Sequence, residues 1–176
     1  MACDDRRVRT QSSIQLHLLR HAHAGDPLKW TGTDDVRPLS ERGRCQAERL
    51  GLFLAETGFE PDVILSSPKL RALDTARLVA TPLGLPTRVV DALAGPLDIA
   101  TLEELLDASG NPVRPLLVGH DPDFSVLAAE LLGVADLAIR KGTLVRIDVG
   151  RPIRSGAGVL RWFVPPDLLA TRDHPD

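Results

Sequence analysis

Three short runs, 14-IQLHLLR-20, 62-DVILSS-67 and 115-PLLVGH-120, are apolar nearly throughout, and segments of helical period lie between them. A strand with one wet face alternates apolar and polar residues, whereas a strand covered on both faces does not. Such runs demand helices on both sides of a sheet. The alternation of strands and helices therefore predicts an α/β fold, a three-layer α/β/α sandwich with a mostly parallel central sheet. A chain of 176 residues is long enough for one such domain with a substantial core.

The predicted elements follow from period and punctuation. A strand over 14–20 leads into a long loop over 21–39. Ser40 caps a helix from 41 to about 57, with Ala47, Leu50 and Leu54 on one face and Gly58 at its end. The strand 62–67 is followed by Pro68 at a first-turn position and a helix to about Ala80. A third strand covers 87–91. A short helix over 101–109 has Thr101 as its cap and Glu104 three residues on, the capping-box spacing. After the strand 115–120 comes a helix over 123–132, closed by Gly133. Two alternating strands, 143–149 and 158–164, suit an antiparallel edge pair. One domain is expected over 14–166, with polar tails at 1–13 and 167–176.

Composition excludes several partners. The net charge is −3 and the basic residues are interspersed with acidic ones, so no broad positive field invites nucleic acid. Aromatic residues are too scarce, at 3%, for a base-stacking surface. No apolar run approaches the ~20 residues of a membrane span, and no apolar stretch follows the charged N-terminus as a secretory signal requires. Cys3 and Cys45 form no disulfide framework and read as free thiols of a reducing compartment. A cytoplasmic location is expected.

In open α/β sheets ligands bind beyond the carboxyl ends of the strands. Here the first strand ends on Arg20-His21, the second on Ser66-Ser67 with Arg71 one turn into the next helix, and the fourth on Gly119-His120. The fold class brings these ends to one rim. Phosphoryl transfer uses such a set. Arginine matches phosphate oxygens with paired donors. Histidine can attack phosphorus and hold it covalently. A second histidine, once protonated, adds charge where the equatorial oxygens become negative. The helix opening near Pro68 offers further N–H groups. For Arg71 the competing reading is an ion pair with Asp74 on its own helix. No histidine pair has metal-ligand spacing and the arginines repel a cation, so neither metal nor other cofactor is expected.

With these residues in place the chain resembles the histidine phosphatase superfamily, the group that includes phosphoglycerate mutase-like enzymes. The stretch 18-LLRHAHAG-25 resembles the Arg-His-Gly motif, 66-SSPKLRALDTA-76 the Ser-Pro-x-x-Arg-Ala-x-x-Thr-Ala motif, and 118-VGHDP-122 the second-histidine motif. With 38-PLSERGRCQA-47 the likeness runs in order from 16 to 164. It implies a phosphoglycerate mutase-like fold. It also makes His21 the nucleophile that becomes phosphohistidine, with Arg20, Arg71 and His120 completing the phosphate pocket.

Two departures stand out. Ala22 replaces the motif glycine, and Gly95 stands where many members carry a glutamate that donates a proton to the leaving alcohol. Asp98, three residues on, is the candidate substitute. Ser67 and His23 are candidate substrate contacts, although His23 also reads as a solvated loop residue. Trp30 reads either as a partner contact or as packed against the domain. An alkoxide leaving group needs a proton more than an imidazole does. The short single-domain form is similar to the SixA-type protein phosphohistidine phosphatases. The expected function is therefore removal of phosphate from phosphohistidine in a partner protein. The alternatives are a phosphomonoesterase for a small phosphorylated metabolite and a non-catalytic binder of phosphorylated ligands.

Overall fold

The computed structural model describes residues 13–169. Most of the predicted N-terminal tail, with Cys3, and residues 170–176 of the C-terminal tail lie outside the described residues. Strands β1 (Ser13–Arg20), β2 (Val63–Ser66), β3 (Thr87–Val89), β4 (Pro115–Gly119), β5 (Leu144–Gly150) and β6 (Val159–Val164) form one sheet in the order β3-β2-β4-β1-β5-β6. The first four are parallel to their neighbours among themselves, and β5 and β6 run antiparallel at one edge. The helices are α1 (Glu41–Glu56), α2 (Leu70–Leu83), α3 (Ile99–Ala108) and α4 (Asp123–Leu132).

Successive residues of the inner strands feed opposite sides of the sheet, as the two-residue period requires. Leu16, Leu18, Val63, Leu65 and Leu117 pack with Leu102 and Leu106 of α3 and Phe124 and Leu127 of α4. Leu19, Ile64, Leu116 and Val118 pack with Leu50 and Leu54 of α1 and Ala76 and Val79 of α2. The sheet is thus covered on both faces, the three-layer α/β/α arrangement that the apolar runs predicted.

Details differ from the pattern-based boundaries. α3 starts two residues before Thr101, because the Asp98 carboxylate accepts from Thr101 N at 2.8 Å and caps the helix instead. Pro68 lies ahead of α2 rather than in its first turn, and Lys69 is the cap residue. α2 continues through Pro82 to Leu83, where Gly84 takes the left-handed conformation. β3 stops at Val89 and the chain curls into a 3-10 turn over Asp91–Ala94. At the C-terminal end, Pro166–Leu169 forms a further 3-10 turn, with Leu169 against the α1/α2 layer. No helix among the described residues is long and apolar enough to cross a membrane.

Candidate active site

The carboxyl ends of β1, β4 and β2 are neighbours in the sheet, and each carries polar residues that bulk burial alone would reject. Arg20 pairs in register with Gly119, and His21 N donates to Gly119 O at 3.0 Å. From the other side, Gly142 N donates to the carbonyls of Arg20 and His21 at 3.1 and 3.0 Å. The end of β1 is therefore fixed from both flanks before any side chain is considered.

His21 is 5% exposed. Its Nδ1 lies 2.8 Å from the carbonyl oxygen of Ala22. A carbonyl only accepts, so Nδ1 carries the proton and Nε2 presents a lone pair. Arg71 Nε–H donates to that Nε2 at 3.3 Å. One turn further along α2, Thr75 Oγ1 donates to Arg71 O at 2.7 Å and accepts from Ala22 N at 3.1 Å. Arg71 and the segment that follows His21 are thereby joined through one buried hydroxyl. Ala22 is not in a left-handed conformation, and its methyl is buried against the α1/α2 layer. The backbone at position 22 does not require glycine.

His120 follows β4 with its ring centroid 5.3 Å from that of His21. Its Nε2 is 2.8 Å from Ser67 Oγ, which places Ser67 beside the cluster as a partner of His120. His120 Nδ1 is buried with no hydrogen-bond partner among the described residues, and so is Arg20 Nε. Arg20 NH1 is held by Ile139 O at 2.7 Å and Asp121 Oδ2 at 3.5 Å. Burial pushes the imidazole of His21 down to about 3, with repulsion from His120, Arg71 and Arg20 adding to the effect. Burial, then Arg71 and Lys69, push His120 to about 3 as well. Both rings are neutral near pH 7, so His120 becomes a cation only if an anion arrives to favour it.

Two residues of the site were not singled out in the sequence. Arg71 pairs with Asp34 rather than Asp74: NH2 is 2.9 Å from Asp34 Oδ2, and NH1 donates to Asp34 O at 2.7 Å. Arg37, only 6% exposed, donates from Nε to Asp34 Oδ1 at 2.9 Å and from NH1 to Ala24 O at 2.6 Å. Ion pairs within a long polar loop carry no periodic signal, and 34-DDVRPLS-40 reads only as the approach to a helix cap.

His23 serves as a joint. Its Nδ1 meets Ser40 Oγ at 2.7 Å, its N–H donates to Gln46 Oε1 at 3.1 Å, and its carbonyl accepts from Ser40 N at 3.0 Å. A Cβ on Gly43 would lie 1.9 Å from that same carbonyl oxygen, so the first turn of α1 packs directly on the His23 backbone. Trp30 is 37% exposed and donates from its indole to Thr33 O at 3.0 Å, within the same loop. Asp98 is exposed, and its carboxyl is held below the usual range by the hydrogen bonds to Thr101 that cap α3. No group of three His, Cys, Asp or Glu side chains among the described residues is placed to hold a metal.

Residues 16–95 match the histidine phosphatase superfamily (branch 1). An uncharacterised protein of Mycobacterium tuberculosis (strain ATCC 25618 / H37Rv) is 33% identical over 146 residues, 81% of this chain and 86% of its own. The phosphohistidine phosphatase SixA of Escherichia coli (strain K12) is 27% identical over 158 residues, 87% of this chain and 94% of its own. The solved structure of the protein histidine phosphatase SixA complexed with tungstate shares the fold with a TM-score of 0.76 at 25% identity, covering 89% of this chain and all of that one, 100%. A mycobacterial glucosyl-3-phosphoglycerate phosphatase, solved with VO3, shares it with a TM-score of 0.68 at 23% identity, covering 86% of this chain and 100% of that one. The motifs, the sheet order and these likenesses converge: the chain belongs to the histidine phosphatase superfamily.

Proposed function

We propose that this phosphatase removes the phosphoryl group from phosphohistidine in a partner protein, by way of a phosphohistidine formed on its own His21. The observation that carries the reading is the Nε2 lone pair of His21 set beside Arg71 Nε, with a buried, unpartnered donor on Arg20 and an unpartnered ring nitrogen on His120 around it. Unpaired buried polar atoms cost about 1–3 kcal/mol each. A phosphoryl group supplies the acceptors that satisfy them and the electrophile that the lone pair needs.

In the first step the Nε2 lone pair attacks phosphorus and a new N–P bond forms as the bond to the substrate nitrogen breaks. The guanidinium groups of Arg20 and Arg71 take the equatorial oxygens, where negative charge gathers. The Nδ1–H of His21 stays on the Ala22 carbonyl and steadies the positive charge that the ring acquires. In the second step water attacks phosphorus, the N–P bond breaks, and Nε2 regains its lone pair as inorganic phosphate leaves.

The leaving group favours phosphohistidine. Gly95 carries no acid, and the Asp98 carboxylate is engaged as a helix cap. An imidazole protonated before attack departs without help, whereas an alkoxide loses the ~10²–10⁴-fold that a general acid supplies. Activity on a small phosphorylated metabolite is the second reading, favoured by the fold shared with the sugar-phosphoglycerate phosphatase. The test is one assay on a phosphohistidine-bearing protein and a panel of phosphate monoesters, without added metal. Preference for the protein supports the proposal, and faster turnover of one monoester replaces it with the second reading.

A further inference from the structure

We propose that Asp34 is a positioning residue that sets the orientation of the Arg71 guanidinium against His21. The inference rests on the phosphate-pocket reading of His21 and Arg71 above. A guanidinium offers two donor edges: an end edge made by its two terminal nitrogens, and a side edge made by Nε and one of them. Asp34 occupies the end edge with two different oxygens, its main-chain carbonyl at 2.7 Å from NH1 and its carboxylate at 2.9 Å from NH2. The side edge is left facing His21, with Nε 3.3 Å from Nε2. Two anchors on one edge of a planar group fix both its tilt and its in-plane rotation.

Asp34 is itself fixed. Its other carboxylate oxygen accepts from Arg37 Nε at 2.9 Å, and Arg37 NH1 reaches back to Ala24 O at 2.6 Å. Ala24 lies three residues beyond His21. The contacts therefore close a circuit from His21 along the chain to Ala24, through Arg37 and Asp34 to Arg71, and back to His21. Asp34 is 54% exposed, so its ion pairs contribute little to stability. What they determine is the direction of a buried guanidinium whose Nε–H must pass from the histidine lone pair to a phosphate oxygen when substrate enters.

The carboxylate also offsets the positive charge of Arg71 and Arg37. Removing that charge while keeping the shape, as in Asp34→Asn, makes the pocket more attractive to a bare oxyanion but leaves Arg71 less well aimed. Catalysis and anion affinity then move in different directions, which a purely structural defect does not produce. The experiment uses the full chain, p-nitrophenyl phosphate as substrate and inorganic phosphate as competitive inhibitor, with Asp34→Asn, Asp34→Ala and Arg71→Ala beside the wild type. For Asp34→Asn the expected result is a fall in kcat of roughly 10- to 100-fold, the scale of a misplaced catalytic group. The inhibition constant for phosphate stays the same or tightens, and the melting temperature is retained. A kcat within about twofold of wild type overturns the inference, as does joint loss of kcat, phosphate affinity and thermal stability in both Asp34 variants. If Arg71→Ala is crippled while Asp34→Asn is not, only the role of Asp34 fails. If Arg71→Ala keeps full activity, or the wild type turns over neither this ester nor a phosphohistidine-bearing protein, the pocket reading fails and the inference with it.

Discussion

Arg71 Nε stands 3.3 Å from Nε2 of His21, donating to the one nitrogen of that ring that a backbone carbonyl does not already hold. The two side chains come from residues fifty positions apart, on a strand end and on the first turn of a helix. Each constrains the other: the hydrogen bond keeps the lone pair aimed, and, on the proposed reading, the lone pair marks where the guanidinium meets a phosphate.

Removal of either partner tests its proposed role separately. His21→Ala is expected to abolish turnover and phosphoryl-enzyme formation while the circular dichroism spectrum stays native. Arg71→Ala is expected to lower kcat by roughly 10²–10³-fold, the usual loss for a donor to transition-state oxygens. Wild-type rates in the His21 variant rule out its role as nucleophile.

The acid side of the activity profile gives a second test. On the proposed reading the His21 nucleophile must be neutral, and burial depresses its pKa to about 3. His21 is therefore competent throughout pH 5–8, and its protonation does not limit kcat/KM in that interval. NMR titration of the His21 ring in the free protein is expected to show no midpoint near 6.5. A midpoint there, coincident with a fall in kcat/KM, contradicts the buried neutral ring.

Stability is expected to fall in mild acid, and His17 is one cause. This side chain is 1% exposed on β1, bonded through Nδ1 to Pro115 O at 3.2 Å and packed edge-on against Phe59. Burial lowers its pKa from 6.5 to about 4. The unfolded chain thus binds a proton that the folded chain refuses. The contribution is complete above pH 6.5 and is lost as pH falls towards 4, amounting to about 3 kcal/mol across that window. Urea melts at pH 7 and pH 4.5 measure it. His17→Gln should show a smaller drop between the two, and an equal drop removes His17 from the account.

A carboxyl restored at position 95 tests the leaving-group argument. A Cβ on Gly95 meets nothing within 4 Å, so the backbone there has room for the first side-chain atom of Gly95→Glu. Turnover of phosphate monoesters with alkyl leaving groups is expected to rise, by up to roughly 10²-fold if the carboxyl reaches the ester oxygen. Phosphohistidine turnover should change little. If phosphohistidine gains as much as the esters, the missing acid does not explain the preference.

Much of this site is legible in the sequence because topology alone delivers it. Arg20, His21, Ser67 and His120 terminate strands that must be parallel neighbours, so placing the strands places the residues. Arg71 follows from the same logic, one turn into a helix that begins at that rim. Asp34 and Arg37 escape notice because the pairing of Asp34 with Arg71 and the burial of Arg37 depend on loop geometry, which no periodicity encodes. The cap of α3 misleads for a related reason: Thr101 and Glu104 have capping-box spacing, yet Asp98 is better placed to receive Thr101 N. His23 reads from sequence as a substrate contact or a solvated loop residue, but its neighbours Ser40, Gly43 and Gln46 belong to the cap and first turns of a helix whose packing against it appears only in three dimensions.

The clasp between Arg37 and the carbonyl of Ala24 has a consequence for how such a chain diversifies. The residues between them form a bight whose neck is tied, and its tip holds Leu28, 94% exposed, and Trp30. Substitutions between Gly25 and Gly32 are therefore expected to leave the Arg37–Ala24 knot, and the candidate site beneath it, in place. On the proposed reading, selectivity for one phosphorylated substrate over another is expected to drift at that tip while the chemistry stays still.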